Sequence, residues 1–145
     1  MKYCMKEHKE LPLSMGQIRA DMIMARSAIE YAETLSSKES KYLKGQTAYH
    51  HQQATEKMIK IQIYAQAEKI DHYRMYKHSI EELLRYANEM NIEIIVPPYI
   101  KKNQEIISTW EATGRYDISM VVRIDTLKKC EQVVSEWHDS LQRIY

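Results

Sequence analysis

Glycine and proline are scarce, with three of each among 145 residues, which leaves few positions for tight reversals. The abundant Met, Ala, Ile, Leu, Glu, Lys and Gln favour helix over strand, so an all-α domain is expected. Cysteine is nearly absent. Cys4 and Cys130 stand far apart without CxxC spacing, so neither a zinc knuckle nor a disulfide framework is indicated, and a reducing, cytoplasmic setting fits best. No one sign of charge dominates: 21 Lys and Arg face 20 Asp and Glu, a formal +1. No overall field therefore draws the chain to phosphate backbones or anionic membranes, and any nucleic-acid contact must be local. No stretch approaches the ~18 apolar residues of a membrane span, and "MKYCMKEHKELPLSMG" has no signal-like apolar run. Catalytic signatures are also missing: there is no Ser-His-Asp order, Gly-rich phosphate loop, HExxH or recognisable pair of acids.

What is present reads as one helical domain over residues 1–145, with 1–14 as an extended amino-terminal segment. A compact domain of this length buries roughly 70% of its unfolded surface, enough for one real core. From Gln17 to Leu35, the spacing of Ile18, Met22, Ala25, Ile29 and Ala32 makes one stripe of an amphipathic helix. Ser36 and Ser37 break it, and "SSKESKYLKG" reads as a short connection. A second helix is then expected from Lys44 or Gly45 to about Gln66, with the option of running further through "EKIDHYRMYKHS" to a bend near Tyr76 to His78.

That second helix is apolar over a wide arc. Ala54, Met58, Ile61 and Ala65 form one stripe, and Ala48, Ile59 and Ile63 form another roughly 120° away. Only Gln53, Lys57 and Lys60 make a clearly wet face. Such a helix is expected at the centre of a bundle, or against a second subunit as well. Ser79, with Glu82 three residues on, predicts a capping box that starts a third helix, "SIEELLRYANEM". In "NIEIIVPPYIKK", Pro97 and Pro98 remove two ladder donors, so an extended loop over the bundle is expected rather than a strand. "NQEIISTWEATG" reads as a short helix closed by Gly114. A last helix is expected from Ile118 to about Arg143, with Asp117 or Ser119 near its start.

The ordered phrases "AYHHQQATEKMIK", "KHSIEELLRYA", "NIEIIVPP" and "WEATGRYD" resemble those of the HEPN (higher eukaryotes and prokaryotes nucleotide-binding) domain family. In its helix-two phrase, C-F-H-A-Q-Q-A-A-E-K-A-L-K, Tyr49 takes the aromatic place and His50 the histidine place, with Gln52, Gln53, Ala54, Glu56, Lys57 and Lys60 in register. His78, Ile80 and Leu83 match an H-D-L-x-x-L phrase, and Arg115 and Tyr116 match R-Y-P, with Asp117 where Pro is common. The resemblance covers about residues 15–143. It implies an up-and-down bundle of four to five helices, frequent homodimers, a nucleotide-binding role and, in many members, partnership with a minimal nucleotidyltransferase. Many members are metal-independent ribonucleases with Arg-x4-6-His; here Arg74 and His78 are three residues apart, and Arg115 and Arg123 precede His138 by far too much.

The expected function is therefore a binding module for a nucleotide or other phosphate-bearing ligand, for a partner nucleotidyltransferase, or for both. The alternative is a toxin-like ribonuclease with a non-standard Arg/His site, using Arg74 or Arg115 on phosphate and His78 or His50 as proton shuttle. The candidate ligand-binding residues are His50, Gln52, Glu56, Lys57, Lys60, His78, Arg115 and Tyr116; none is assigned a catalytic role. Gln52 and Glu56 stand at i and i+4 at the edge of the core, where they could face a ligand or join an interhelical network with His78, Arg115 or Tyr116. Arg115 could hold phosphate with its fork or pair with Glu56. His78 could orient its turn or meet an anion at a helix start. Trp110 and Trp137 are expected in the core or at a dimer contact.

His50 and His51 project about 100° apart and so cannot clasp one metal. No metal and no cofactor are expected. Elemental analysis of untagged protein should find neither zinc nor nickel in stoichiometric amount, and finding either would overturn this reading.

Overall fold

The computed structural model describes residues 11–115 and 122–145; of residues 113–115 it describes the backbone alone. Among the described residues the chain is all-helical: α1 (Met15–Ala32), α2 (Ser37–Gln66), α3 (His72–Met75), α4 (Ile80–Glu89), α5 (Pro98–Lys102), α6 (Gln104–Arg115) and α7 (Ile124–Gln142). Five of these are longer than two turns, and α3 and α5 are short connecting turns.

Helix α1 starts where Ser14 and Gln17 cap each other reciprocally: Gln17 N–H donates to Ser14 Oγ at 3.2 Å and Ser14 N–H donates to Gln17 Oε1 at 2.8 Å. Its buried face is Met15, Ile18, Ala25, Ile29 and Ala32, with Met22 partly buried beside it. The helix ends at Ala32, three residues before the expected Leu35.

The expected connection "SSKESKYLKG" is instead the beginning of α2. Ser36 is the N-cap, its hydroxyl accepting from Glu39 N–H at 3.3 Å, and Glu39 sits in the first turn, where a carboxylate favours the helix dipole. Serines that end one helix can equally begin the next, and here Ser36 does so directly. Gly45 lies inside α2 and is buried; its intrinsic cost of about 1 kcal/mol is outweighed by the packing of the helix that continues through it. Helix α2 ends at Gln66, with Ala67 as an extended C-cap. From Leu43 to Ala65 no residue of α2 is exposed. It packs against α1, α4, α6 and α7, so the two-sided apolar arc marks the central helix. Gln53, Lys57 and Lys60, expected to be fully wet, are half-buried, because α1 and the His78 turn lie against that side too.

Helix α4 starts at Ile80, with Ser79 Oγ accepting from Glu82 N–H at 3.3 Å. It closes with a reversed turn in which Asn91 adopts φ 56°. Ile92 N–H donates to Ala87 O at 2.9 Å and Asn91 N–H to Asn88 O at 3.1 Å, the bond pair of a Schellman motif. The chain then runs without regular secondary structure through Val96 and does not pair as a strand. The Gln62 side chain brackets Ile95, accepting from its N–H at 2.7 Å and donating to its carbonyl at 3.0 Å. Trp137 Nε1 donates to the same carbonyl at 2.9 Å, and Gln66 donates to Glu93 O at 3.0 Å. The segment is thus a strap across α2 and α7, held by side chains in place of a β ladder.

The last helix begins at Ile124, with Arg123 as its N-cap and Val122 non-helical, later than the expected Ile118; residues 118–121 lie outside the described residues. Leu127, Cys130, Val134, Trp137 and Leu141 face the core. The Cys130 thiol is fully buried, and burial pushes its pKa up to about 12, which keeps it protonated and unreactive. Trp110 and Trp137 are both buried. No helix among the described residues is long and apolar enough to cross a membrane.

Gln62 is buried and bonds both backbone groups of Ile95, so Gln62→Leu should leave the Ile95 N–H unsatisfied. The expected loss, read from urea denaturation, is about 2 kcal/mol; an unchanged midpoint would show that the strap is held by its apolar contacts alone.

Candidate functional site

The polar residues of the family-like phrase in α2 meet partners on both sides of that helix, at two separate junctions. At 100° per residue, Gln52, Glu56 and Lys60 form one line along α2, and His50 and Lys57 form another, with Gln53 between them. The first line faces the turn before α4 and helix α6, and the second faces α1.

Glu56 is the hub of the first junction. Its side chain is 5% exposed and both carboxylate oxygens are occupied. Lys60 Nζ donates to Oε1 at 2.6 Å and Gln52 Nε2 donates to Oε2 at 2.8 Å, while His78 Nδ1 lies 3.2 Å from Oε2 and 3.3 Å from Oε1. Gln52 Nε2 also donates to His78 O at 3.0 Å and Gln52 Oε1 accepts from Gln53 at 2.8 Å. A carboxylate taken this far out of water is tolerated only with such a full set of donors. The other ring nitrogen of His78, Nε2, lies 3.9 Å from Glu111 Oε1 of α6, and the His78 side chain is 43% exposed. The imidazole is thus anchored on its inner edge and open to solvent on its outer part.

The turn that carries His78 is itself pinned. Ile80 N–H donates to Ser108 Oγ of α6 at 2.9 Å, so this free amide of the α4 start, like that of Glu82, already has a side-chain acceptor. An anion would find fewer open amides there than an uncapped helix offers.

The second junction is centred on Asp21 of α1. His50 Nδ1 lies 3.0 Å from Asp21 Oδ1, and Lys57 Nζ donates to Oδ2 at 2.6 Å. Burial alone would raise the Asp21 pKa, but the hydrogen bonds and positive charge of His50 and Lys57 outweigh it and hold the carboxyl below its ordinary value. Both lysines of the phrase are therefore already matched to carboxylates, and so is Arg74, which bonds Glu89 at 2.8 Å and stacks over Tyr86.

Of the eight candidate residues, Gln52, Glu56, Lys60 and His78 come together, and His50 and Lys57 meet each other at Asp21. Arg115 lies one turn beyond Glu111 at the end of α6, its backbone alone described, and Tyr116 lies outside the described residues. Asp21 and Glu111 are the contact partners of these residues that sequence reasoning missed. The spacing of α1 gives only a weak signal for Asp21, a single acid on the margin of an apolar stripe, and Glu111 lies in the "WEATGRYD" phrase beside the expected Arg115. Among the described residues no group of three or more His, Cys, Asp or Glu side chains is placed to hold a metal ion.

His51, the neighbour of His50, turns into the core. It is 1% exposed, neither ring nitrogen has a hydrogen-bond partner among the described residues, and burial, aided by the nearby His50, lowers its pKa to about 4. It lines a half-open cavity of roughly 290 Å³ between α1 and α7, to which none of the eight candidates contributes.

No protein-family model matches this chain, and neither a curated protein nor a solved structure matches it.

His51 is the clearest pH-sensitive element of this region. Its folded pKa of about 4 lies below the ordinary 6.5, so between these values the unfolded chain binds more protons and stability rises with pH. Urea-unfolding free energy should decline as pH falls through that window, by on the order of 3 kcal/mol in all. His51→Phe should flatten the decline; an equally steep one in that variant would assign it to other groups.

Proposed function

We propose that this protein is a HEPN-type binding module that works as a homodimer, with the His78 edge of the α2–α6 junction as its contact point for a phosphate-bearing ligand such as a nucleotide, or for a partner minimal nucleotidyltransferase. The observation that carries the reading is the saturation of Glu56. Lys60, Gln52 and His78 leave it no vacant acceptor to act as a base, while the same bonds hold the half-exposed His78 ring in one orientation. A rigid, pre-oriented imidazole on a closed network is suited to recognition, because little freedom is lost on contact. Arg115, one turn past Glu111 on the neighbouring helix, brings a fixed positive charge to the same end of α6. The exposed Met24 and Tyr31, two turns apart on one face of α1, support a second copy as the dimer partner.

The ribonuclease alternative needs an Arg and a His released to act on phosphate. Arg74 is committed to Glu89 and Tyr86, and His50 to Asp21, which leaves Arg115 and His78 as the pair that cleavage would have to use.

Calorimetric titration of the purified chain with ATP, GTP and a short RNA tests both readings. Saturable binding that weakens about tenfold in His78→Ala and in Arg115→Ala is the expected result. Binding unaffected by both substitutions, or none by any ligand together with wild-type partner docking by both variants, would retire the junction. Cleavage of labelled RNA in EDTA that disappears in His78→Ala would replace the binding module with the enzyme.

A further inference from the structure

The outward face of α1 carries no charge. At 100° per residue, Gly16, Ala20, Ile23, Met24, Ser27 and Tyr31 fall within one arc of about 100°, opposite the buried Ile18, Ala25, Ile29 and Ala32, and all six are exposed. Ile23, Met24 and Tyr31 keep 55%, 54% and 61% of their surface open. Single exposed apolar side chains are ordinary. Three on one helix face with no charged residue among them, in a chain of which 28% is charged, mark a contact surface.

One flank of that face sorts its charges by sign: Arg19 and Arg26 come first along the helix, then Glu30 and Glu33. Arg26 is drawn to Glu131 of α7 and Glu33 to Lys128 of α7, each at 2.6 Å. Arg19 and Glu30 make no ion pair among the described residues, and Glu30 does no more than add to the field at Arg26. They stand three turns apart, about 16 Å along the axis, and cannot reach each other. They do match a second copy of the same helix running antiparallel about a two-fold axis between the two helices, which keeps Arg19 and Glu30 of the second copy on the same flank.

That pairing fixes the register. With Arg19 level with Glu30 of the second copy, the axis passes between Met24 and Ala25, so Met24 and Ile23 each meet their own counterparts within about 5 Å along the helix. Tyr31 of the second copy then comes level with Ile18, midway between Gly16 and Ala20, where the face presents only a hydrogen and a methyl group. The largest side chain of the face falls on its deepest gap, a match that the charge pairing did not assume. A parallel pair would set Tyr31 against Tyr31 and leave both charges unmatched.

We propose that a second copy of this chain docks on the outward face of α1, the two α1 helices antiparallel about a two-fold axis between Met24 and Ala25, with reciprocal Arg19–Glu30 ion pairs and Tyr31 of each chain seated over Gly16 and Ala20 of the other. The inference rests on the homodimer of the proposed function and gives that dimer its surface and symmetry, each contact being made twice.

Sedimentation equilibrium of the full chain at low salt tests it and should show a dimer. Arg19→Glu and Glu30→Arg should each weaken the dimer about tenfold, because a like-charge contact then occurs twice. Mixed in equal amounts, the two variants should regain it, since every contact between unlike variants again joins opposite charges; no effect within one chain produces that recovery. Among the described residues a Cβ at Gly16 meets only Ser14 Oγ, at 3.7 Å, an ordinary contact. Gly16→Leu therefore fits the single protomer but fills the place of Tyr31, and should also weaken the dimer about tenfold. A dimer indifferent to these substitutions, or one weakened by the charge variants without recovery on mixing, overturns this interface and leaves the homodimer to another surface. A monomer at every concentration overturns the interface and the homodimer together, while ligand binding at His78 is read apart from both by calorimetry.

Discussion

The enclosure of α2 is the constraint on which the molecule depends. With α1, α4, α6 and α7 around it, every polar side chain between Leu43 and Ala65 must find a protein partner or bear the cost of lost hydration. Thr47 bonds the Ala25 and Leu43 carbonyls, Thr55 bonds His51 O, Gln62 bonds Ile95, and Glu56 and Asp21 each gather a lysine and a histidine. These bonds tie the neighbours of α2 in register as much as its apolar contacts do. Breaking one partner of Glu56–Lys60 would leave a buried charge unpaired, the costly case for ion pairs, even though the intact pair adds little net stability.

The two junctions and the cavity differ in how completely their polar groups are satisfied. At Glu56 and at Asp21 the acceptors are filled, so these clusters fix geometry. At His51 neither ring nitrogen has a hydrogen-bond partner among the described residues. Adjacent residues of one helix, His50 and His51, thus serve opposite ends: one locks α1 to α2, the other is an unsatisfied polar group of the interior. Their divergence by about 100° is the whole reason.

Helix periodicity made the all-α class, the central position of α2 and the strap after α4 legible from residues alone, because each rests on a repeated pattern or on a residue that forbids the alternative, as Pro97 and Pro98 forbid a central strand. Boundaries were less legible. Ser36 carries the same chemistry whether it stops α1 or caps α2, and only the tertiary placement of Lys38 to Lys44 decides it. The polar members of the site were found by type and register, but their sorting into two clusters depends on Asp21 and Glu111, which lie on other helices and enter through contacts 36 and 33 residues apart in the chain. No spacing within α2 encodes those partners. The burial of His51, and its lack of any hydrogen-bond partner among the described residues, are visible only in three dimensions.

The strap from Ile92 to Val96 has a further consequence. Four of its five residues are β-branched and it pairs with no strand among the described residues, the kind of segment that templates intermolecular sheets when its amides are open. Gln62 and Trp137 occupy both polar groups of Ile95, Gln66 takes the carbonyl of Glu93, and the prolines that follow deny a growing sheet its next donors. Those side chains therefore occupy backbone groups that a stretch of this composition would otherwise offer to a second chain.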